Sequence, residues 1–257
     1  MTTLNDTSRK DGFRQRFIAG ERLLGTFVKT AAPQPIEILG DVGFDFVVID
    51  EEHAPFDRNA IDIALLAARA ADIAALVRVS SVATILNALD GGAEGVLVPH
   101  VSSVEKARDV VAACRYQDGH RGYSPSGRSS RFGADSSWPY VKAADQKVAV
   151  VAMIEDPIAV EHINDIVEID GIDGFFIGRG DLTIAYGAAD SRAPEINDAV
   201  GRIAAAARKA GKPVAVMAGD RTEGDGFAQM GASTFILSTD QGLLRRGANQ
   251  ILNEFRA

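Results

Sequence analysis

The chain has 257 residues, a formal net charge of −8 and a pI near 5.1, with 46% hydrophobic and 24% charged residues. This length suits one domain with a large core, and the composition excludes a disordered or collagen-like chain. Its acidic balance argues against nucleic acid as a partner, because binding a phosphate backbone needs a concentrated basic surface.

Neither a membrane segment nor an export signal is expected. The longest apolar runs, such as residues 148–154, are far shorter than the ~20 residues of a membrane helix. Residues 1–16 are polar, so we expect a cytoplasmic location. Cys114 is the only cysteine, which excludes an intrachain disulfide and a thiolate metal cluster. Any metal must therefore bind oxygen or nitrogen ligands.

Short apolar runs rich in β-branched residues alternate with longer Ala-rich segments of helical period, which is typical of consecutive βα units. The predicted strands are residues 25–29, 44–50, 75–79, 95–99, 148–155, 174–178, 213–218 and 234–238. Segments such as 58–71, 104–115 and 199–210 are expected to form outer helices. Eight units predict an α/β fold, a single (β/α)8 TIM barrel over residues 1–257. An open doubly wound sheet is the alternative, but it lacks the GxGxxG sequence after its first strand.

Three segments depart from this rhythm. Residues 1–22 form an N-terminal extension with a helix, and residues 117–140 form a long Gly/Ser/Arg-rich connection that is either functional or mobile. Residues 241–257 place Leu244 and Phe255 on one apolar helical face, so this helix should dock on the barrel or on a neighbouring subunit.

Polar residues stand where the predicted strands end. Asp50 and His53 follow the second strand, Arg78 ends the third, Glu155 ends the fifth, and Asp181 follows the sixth. Catalytic groups of such barrels lie at the carboxyl ends of the strands. We therefore expect these side chains to converge on one rim.

Glu155 and Asp181 are candidate metal ligands, because hard oxygen ligands from adjacent strand ends suit Mg²⁺ or Mn²⁺. Either carboxylate could instead cap a helix. Arg78 needs an anionic partner in a largely buried setting. That partner is either a substrate oxyanion or a nearby carboxylate such as Asp50 or Glu52.

His53 is either a general base or a plain hydrogen-bonded histidine, and Asp50 could orient its imidazole and raise its basicity. The glycine-rich turn that contains Arg179 and Gly180 presents backbone N–H groups that could hold a ligand carboxylate. An ordinary βα turn is the alternative for this segment.

Taken together, these residues resemble the HpcH/HpaI aldolase family, the class II pyruvate aldolases that cleave 4-hydroxy-2-oxo acids. The resemblance runs from Gly25 to about Leu244. The segments that carry it are GFDFVVIDEEHAP (43–55), LVRV (76–79), VLVP (96–99), Arg121-Gly122, MIE (153–155) and GIDGFFIG (171–178) continuing to Asp181-Leu182.

The resemblance implies a barrel of the phosphoenolpyruvate/pyruvate-domain type with a divalent metal ion, Mg²⁺, Mn²⁺ or Co²⁺, on Glu155 and Asp181. The metal would chelate the carboxylate and keto oxygens of pyruvate or a related 2-oxo acid. Arg78 would stabilise the enolate oxygen. His53, held by Asp50, would handle the hydroxyl proton of the aldol through water, with a small aldehyde as the second substrate.

The resemblance also implies a homo-oligomer, a hexamer built as a trimer of dimers with exchanged C-terminal helices. Asp90 matches an aspartate that assists the histidine of an adjacent subunit, although it could be a simple helix-end residue. Met153 stands where a glutamine is common, and Arg179-Gly180 replaces a usual Pro-Ala. Arg179 would therefore help bind a polar donor such as hydroxypyruvate, or would point to solvent.

Three other functions remain open at this point. A lysine-imine aldolase needs a lysine at a strand end, and Lys29 is the one near such a position. A lyase or decarboxylase acting on a citramalyl-CoA-like thioester could use Arg121, Arg128 and Arg131. A non-catalytic barrel is the third alternative.

Overall fold

Eight parallel strands close into a barrel in which each strand pairs with the next along the chain and the last pairs with the first. The computed structural model describes residues 12–135 and 137–256. The strands are β1 (Leu23–Val28), β2 (Phe46–Asp50), β3 (Ala74–Arg78), β4 (Gly95–Val98), β5 (Ala149–Ile154), β6 (Gly174–Ile177), β7 (Val214–Met217) and β8 (Ala232–Thr239). The predicted (β/α)8 barrel and its eight strands are confirmed.

Helices surround the barrel and connect its strands. They are α1 (Phe13–Ile18), α2 (Gln34–Val42), α3 (Arg58–Ala70), α4 (Ile85–Asp90), α5 (Val104–Cys114), α6 (Ser137–Lys147), α7 (Pro157–Glu161), α8 (Ile163–Ile166), α9 (Arg179–Tyr186), α10 (Pro194–Lys209), α11 (Arg221–Met230) and α12 (Asp240–Arg256). Helix starts follow local capping rules, since the Asp57 carboxylate accepts a hydrogen bond from the N–H of Ala60 at the start of α3.

The strands are buried on both faces, which explains their nearly continuous apolar sequences. One layer fills the barrel interior and includes Phe46, Leu76 and Met153. A second, larger layer packs the outer strand faces against the helices and includes Val77 and Ile203. The polar side chains that extend beyond the strand ends therefore rest on a closely packed frame.

The strand register sets the arrangement of the rim. Asp50 and Arg78 are direct partners in the β2–β3 pair. Ile154 pairs with Ile177, so Glu155 and the turn after β6 leave the barrel side by side. The register thus places the two groups of polar residues on the same edge of the closed sheet.

The long connection is more structured than predicted. It contains a short 3₁₀ turn at Arg128–Gly133, and α6 already begins at Ser137, inside the predicted loop. Arg121 and Ser130 are buried. Because this segment lines a cavity with Glu94 and Val148, which directly precede β4 and β5, it covers the amino ends of the strands, opposite the polar rim.

Helices lie at both ends of the described chain. Helix α1 lies in the predicted N-terminal extension, whose residues 1–11 are outside the described residues. Helix α12 is present, but Leu244 and Phe255 are 75% and 88% exposed. The predicted apolar face of this helix therefore does not dock on the barrel of its own chain. Within 12–135 and 137–256, no helix has the length and apolar character needed to cross a bilayer.

Candidate active site

Asp50 is the centre of a buried charge cluster at the ends of β1, β2 and β3. Its carboxylate accepts hydrogen bonds from Nε and one terminal nitrogen of Arg78, at 2.9 and 2.7 Å, and forms an ion pair with Nζ of Lys29 at 2.9 Å. The side chain of Asp50 is fully buried. Burial alone would raise the pKa of Asp50, but the hydrogen bonds and charges of Arg78 and Lys29 outweigh it and hold the pKa below its ordinary value.

Arg78 therefore has the carboxylate partner that the sequence left as one alternative. The guanidinium also lies 3.5 Å from the Glu52 carboxylate and stacks over the ring of Phe27, with its central carbon 4.7 Å from the ring centroid. Its other terminal nitrogen forms none of the side-chain hydrogen bonds found among the described residues. That nitrogen leaves Arg78 two N–H groups for an oxyanion.

The expectation that Asp50 orients the imidazole of His53 is wrong. Asp50 accepts a hydrogen bond from the backbone N–H of His53 at 3.1 Å, so it fixes the position of the loop instead. The imidazole is about half exposed and its Nε2 lies 3.6 Å from the carboxylate of Glu52. The physical reason is that Lys29 and Arg78 already occupy the side-chain face of Asp50.

Glu155 and Asp181 follow the adjacent strands β5 and β6, as predicted. Glu155 is buried, while Asp181 is exposed in the first turn of α9. Neither acts as a helix cap, because Asp156 precedes α7 and Gly178 precedes α9 in the cap positions. The pairing of Ile154 with Ile177 puts the two residues at neighbouring strand ends.

The environment of Glu155 fits a cation-binding group. Burial raises the pKa of Glu155 to about 7, and the nearby charges of Asp181 and Glu52 act in the same direction. No group of three or more His, Cys, Asp or Glu side chains within the described ranges is arranged to hold a metal. Two protein carboxylates would thus leave the remaining coordination positions of Mg²⁺ or Mn²⁺ to substrate and water.

His100 is a rim residue that the sequence analysis missed. Its backbone N–H donates to Glu155 at 2.8 Å, and its Nδ1 lies 3.2 Å from both carboxylate oxygens of Asp156. Its φ of 54° is unusual for a non-glycine residue and turns the N–H towards Glu155. His100 follows β4 closely, so the pattern of polar residues after strand ends also applies to it.

Gly178 is required by the approach of two strand ends. A Cβ atom at this position would lie 2.6 Å from Oε2 of Glu155, closer than side-chain atoms approach one another. A Cβ at Gly180, by contrast, would meet no atom within 4 Å. The backbone at Gly180 is therefore open to a ligand, whereas Gly178 provides the space for Glu155.

Arg179 is held by contacts at the carboxyl end of β7, and its role in binding substrate stays a prediction. Its guanidinium pairs with Glu223 at 3.1 Å, donates to the backbone carbonyl of Met217 at 2.9 Å, and lies 4.6 Å from the ring centroid of Phe227. The alternative of a solvent-exposed side chain is wrong, since only 13% of it is exposed. A guanidinium gains more from this buried carboxylate and ring than from water.

Asp90 ends α4 and lies away from the rim of its own chain. Its carboxylate accepts a hydrogen bond from Arg121 at 3.0 Å, at the face covered by the long connection. Arg128 and Arg131 pair with Asp62 and Asp135 on that same side. These arginines are therefore remote from Glu155 and add no basic surface for a CoA group beside it.

Known proteins share the sequence pattern and the fold of this chain. The model of the HpcH/HpaI aldolase/citrate lyase family matches residues 23–246. A 5-keto-4-deoxy-D-glucarate aldolase of Klebsiella pneumoniae is 31% identical over 248 residues, 95% of this chain and 96% of the relative. A HpcH/HpaI aldolase/citrate lyase family protein from Burkholderia cenocepacia has a TM-score of 0.90 and 30% identity, covering 95% of this chain and 98% of that one.

The structure of the citrate synthase SbnG is also similar, with a TM-score of 0.87 and 29% identity over 95% of this chain and 97% of that one. Metal-dependent aldol cleavage of oxo acids is the general chemistry of such aldolases, with a divalent metal ion and small-molecule substrates. The match covers the complete barrel and every rim residue described above. The chain belongs to the HpcH/HpaI aldolase/citrate lyase family and is a carbon–carbon lyase.

Proposed function

We propose that this enzyme cleaves and forms 4-hydroxy-2-oxo acids, with pyruvate or hydroxypyruvate as the enolate donor and a small aldehyde as the acceptor. One observation carries the proposal: the buried carboxylate of Glu155 and the carboxylate of Asp181 follow adjacent strands, at the edge of the barrel where Arg78 is hydrogen-bonded to Asp50. A cation site beside a guanidinium is suited to an anionic oxo acid whose negative charge grows during the reaction.

Glu155 and Asp181 would hold the divalent ion, for which Mg²⁺, Mn²⁺ and Co²⁺ are the candidates. When bound, such an ion supplies Lewis-acid stabilisation of negative charge on the keto oxygen. The unengaged terminal nitrogen of Arg78 donates to that oxygen from the other side. The open backbone at Gly180 lets the N–H groups at the start of α9 approach the carboxylate of the oxo acid.

His53 is the candidate acid/base group. Its exposed imidazole can accept the proton of the aldol hydroxyl through a water molecule and return it during condensation. The carboxylate of Glu52 lies 3.6 Å from its Nε2. Asp50 contributes by fixing the backbone of His53 and the side chain of Arg78 at the same time.

The assembly completes this proposal. Helix α12 carries exposed Leu244, Ile251, Leu252 and Phe255, an apolar face suited to a second barrel. We place this helix in an exchanged contact within a homo-hexamer built as a trimer of dimers. Asp90 would then assist the histidine of a neighbouring subunit from its place at the opposite end of its own barrel.

The substrate class follows the curated relative in general terms. The Klebsiella pneumoniae protein is named as an aldolase of 5-keto-4-deoxy-D-glucarate, an oxo acid with a second carboxylate. Oxo-acid sugars of this kind are the first substrates to test here. Cleavage of such a substrate releases an aldehyde together with the donor oxo acid, and this aldehyde is the acceptor in the reverse reaction.

The test measures whether the enzyme releases pyruvate or hydroxypyruvate from such substrates in a metal-dependent reaction. The released oxo acid is detected by its reduction in a coupled assay. We expect activity to disappear with EDTA and return with Mg²⁺, Mn²⁺ or Co²⁺, and to be lost in Glu155→Ala and Asp181→Ala. Asp198→Ala, which removes an exposed carboxylate of α10, is the matched control. Activity that survives EDTA, or borohydride trapping of pyruvate on the enzyme, would contradict the metal mechanism.

A further inference from the structure

Lys29 lies directly after β1 and reaches the same carboxylate as Arg78. Its Nζ is 2.9 Å from Oδ2 of Asp50, the oxygen that also accepts the 2.7 Å hydrogen bond from Arg78. The Lys29 side chain is 25% exposed, compared with 8% for Arg78. Lys29 is therefore a second cation at the rim, on the open side of the Asp50–Arg78 pair.

The backbone of Lys29 is held in place independently of its ammonium group. The carboxylate of Asp240, at the start of α12, accepts hydrogen bonds from the N–H of Lys29 at 2.8 Å and from the N–H of Thr30 at 3.0 Å. Because β1 also pairs with β8, this contact anchors the end of β1. A substitution of the Lys29 side chain thus leaves these backbone contacts available.

The charges around Arg78 show what Lys29 contributes. Asp50 and Glu52 lie 2.7 and 3.5 Å from the guanidinium, so one cation faces two carboxylates. Without Lys29 this group would carry a net charge of −1, from +1 and −2. An anionic oxo acid would meet repulsion there, and the gain from Arg78 would be largely cancelled. Lys29 brings the net charge of the group to zero.

We propose that Lys29 is a positioning residue. Its ammonium group offsets part of the negative charge of Asp50, so that the free terminal nitrogen of Arg78 still attracts the negatively charged enolate. The inference rests on the proposed function and deepens it. Lys29 acts through Asp50 and does not form a covalent bond with substrate.

The imine alternative for Lys29 makes a different prediction. An imine-forming lysine needs a free amine that can attack the keto carbon, whereas Nζ of Lys29 is paired with the buried carboxylate of Asp50 at 2.9 Å. Arginine can replace a lysine that supplies charge but cannot replace one that forms an imine. The conservative variant therefore separates the two roles.

The experiment uses the full-length protein loaded with Mn²⁺, and oxalate as a planar mimic of the enolate. Lys29→Met is compared with Lys29→Arg, and Lys209→Met, which removes an exposed lysine of α10, is the matched control for net charge. Oxalate affinity is measured by calorimetry, Mn²⁺ affinity is measured in the absence of oxalate, and kcat and KM are measured for oxo-acid cleavage. Urea unfolding confirms that each variant is folded.

We expect Lys29→Met to weaken oxalate binding roughly ten- to hundredfold, because it removes the attraction between one nearby cation and an anionic ligand. The value of kcat/KM should fall by a similar factor, while Mn²⁺ affinity stays within about twofold. Lys29→Arg should restore most of the oxalate affinity. Lys209→Met should match the wild type.

Equal oxalate affinity in Lys29→Met and in the wild type would overturn the role of Lys29 while leaving the proposed function in place. Loss of activity in Lys29→Arg together with borohydride trapping of pyruvate on the wild type would assign the imine role instead. If Lys29→Met does not fold, Lys29→Gln takes its place with the same expected losses. A folded wild type that binds neither Mn²⁺ nor oxalate contradicts the proposed function itself, and this inference with it.

Discussion

The carboxylate of Asp50 and the guanidinium of Arg78 form a two-point hydrogen-bonded pair, at 2.9 and 2.7 Å, between directly paired residues of β2 and β3. The pair is buried and lies on the ring of Phe27. Its planar geometry fixes one edge of Arg78 and leaves the other edge to a ligand. This relationship fixes the position of Arg78 at the rim.

Replacing Asp50 with Asn should therefore affect both stability and turnover. The substitution leaves Arg78 and Lys29 without their shared carboxylate, and loss of one partner of a buried ion pair costs about 3–5 kcal/mol. We expect the free energy of unfolding to fall by that amount in urea titrations and activity to be lost. A stability equal to the wild type would show that solvent replaces Asp50 at no cost.

Metal affinity should depend on pH through Glu155, whose pKa burial raises to about 7. Below that pH the proton competes with the metal, so affinity should rise about tenfold per pH unit and level off above pH 7. In the metal-free protein the native state binds this proton more tightly than the unfolded chain, whose glutamate has the ordinary pKa of 4.5. The contribution of Glu155 to stability therefore falls as the pH rises from about 4.5 to about 7.

Calorimetric Mn²⁺ titrations between pH 5.5 and 8.5 measure this dependence. Glu155→Gln should bind Mn²⁺ weakly at every pH. A flat profile in the wild type would mean that Glu155 is already ionised at the acid end of the range.

Gly178→Ala should weaken metal binding by displacing Glu155. The added methyl group would lie 2.6 Å from Oε2 of Glu155, so either the carboxylate or the turn after β6 must move. Gly201→Ala on α10 is the matched control, because its methyl group meets no atom within 4 Å. That control should be stabilised by about 0.5–1 kcal/mol and retain Mn²⁺ affinity. Unchanged Mn²⁺ affinity in Gly178→Ala would mean that Glu155 does not bind the metal.

Arg179→Ala should lower stability without changing the choice of donor. The guanidinium joins the start of α9 to Glu223 and to the Met217 carbonyl, and losing these charged hydrogen bonds costs about 1–3 kcal/mol. The ratio of kcat/KM for pyruvate and hydroxypyruvate in condensation assays should remain that of the wild type. A shift of this ratio towards pyruvate would contradict this expectation and would show that Arg179 takes part in recognising the donor.

Charged substitutions on α12 should reduce the size of the assembly. Leu244→Glu and Phe255→Glu place carboxylates on an apolar face that is exposed in the single chain, so they should leave the barrel folded. Light scattering coupled to gel filtration measures the molar mass. Asn253→Glu, an exposed position outside this apolar set, is the control. An unchanged mass in the first two variants would mean that α12 does not join subunits.

The β strands, the barrel and the polar rim were predictable because each depends on local pattern. Buried parallel strands need continuous apolar residues, and the carboxyl ends of barrel strands necessarily share one edge. The positions of Arg78, Glu155 and Asp181 could thus be read from the order of strands. His100 was missed at the end of β4, although the same pattern applies to it.

Which group each polar side chain contacts was decided only by the tertiary structure. Lys29, rather than the imidazole of His53, reaches Asp50, and Arg179 pairs with Glu223, 44 positions away along the chain. Strand patterns determine which edge a residue occupies. The choice among several oppositely charged neighbours on that edge depends on distances of a few ångströms and on burial, and these quantities exist only once the barrel has closed.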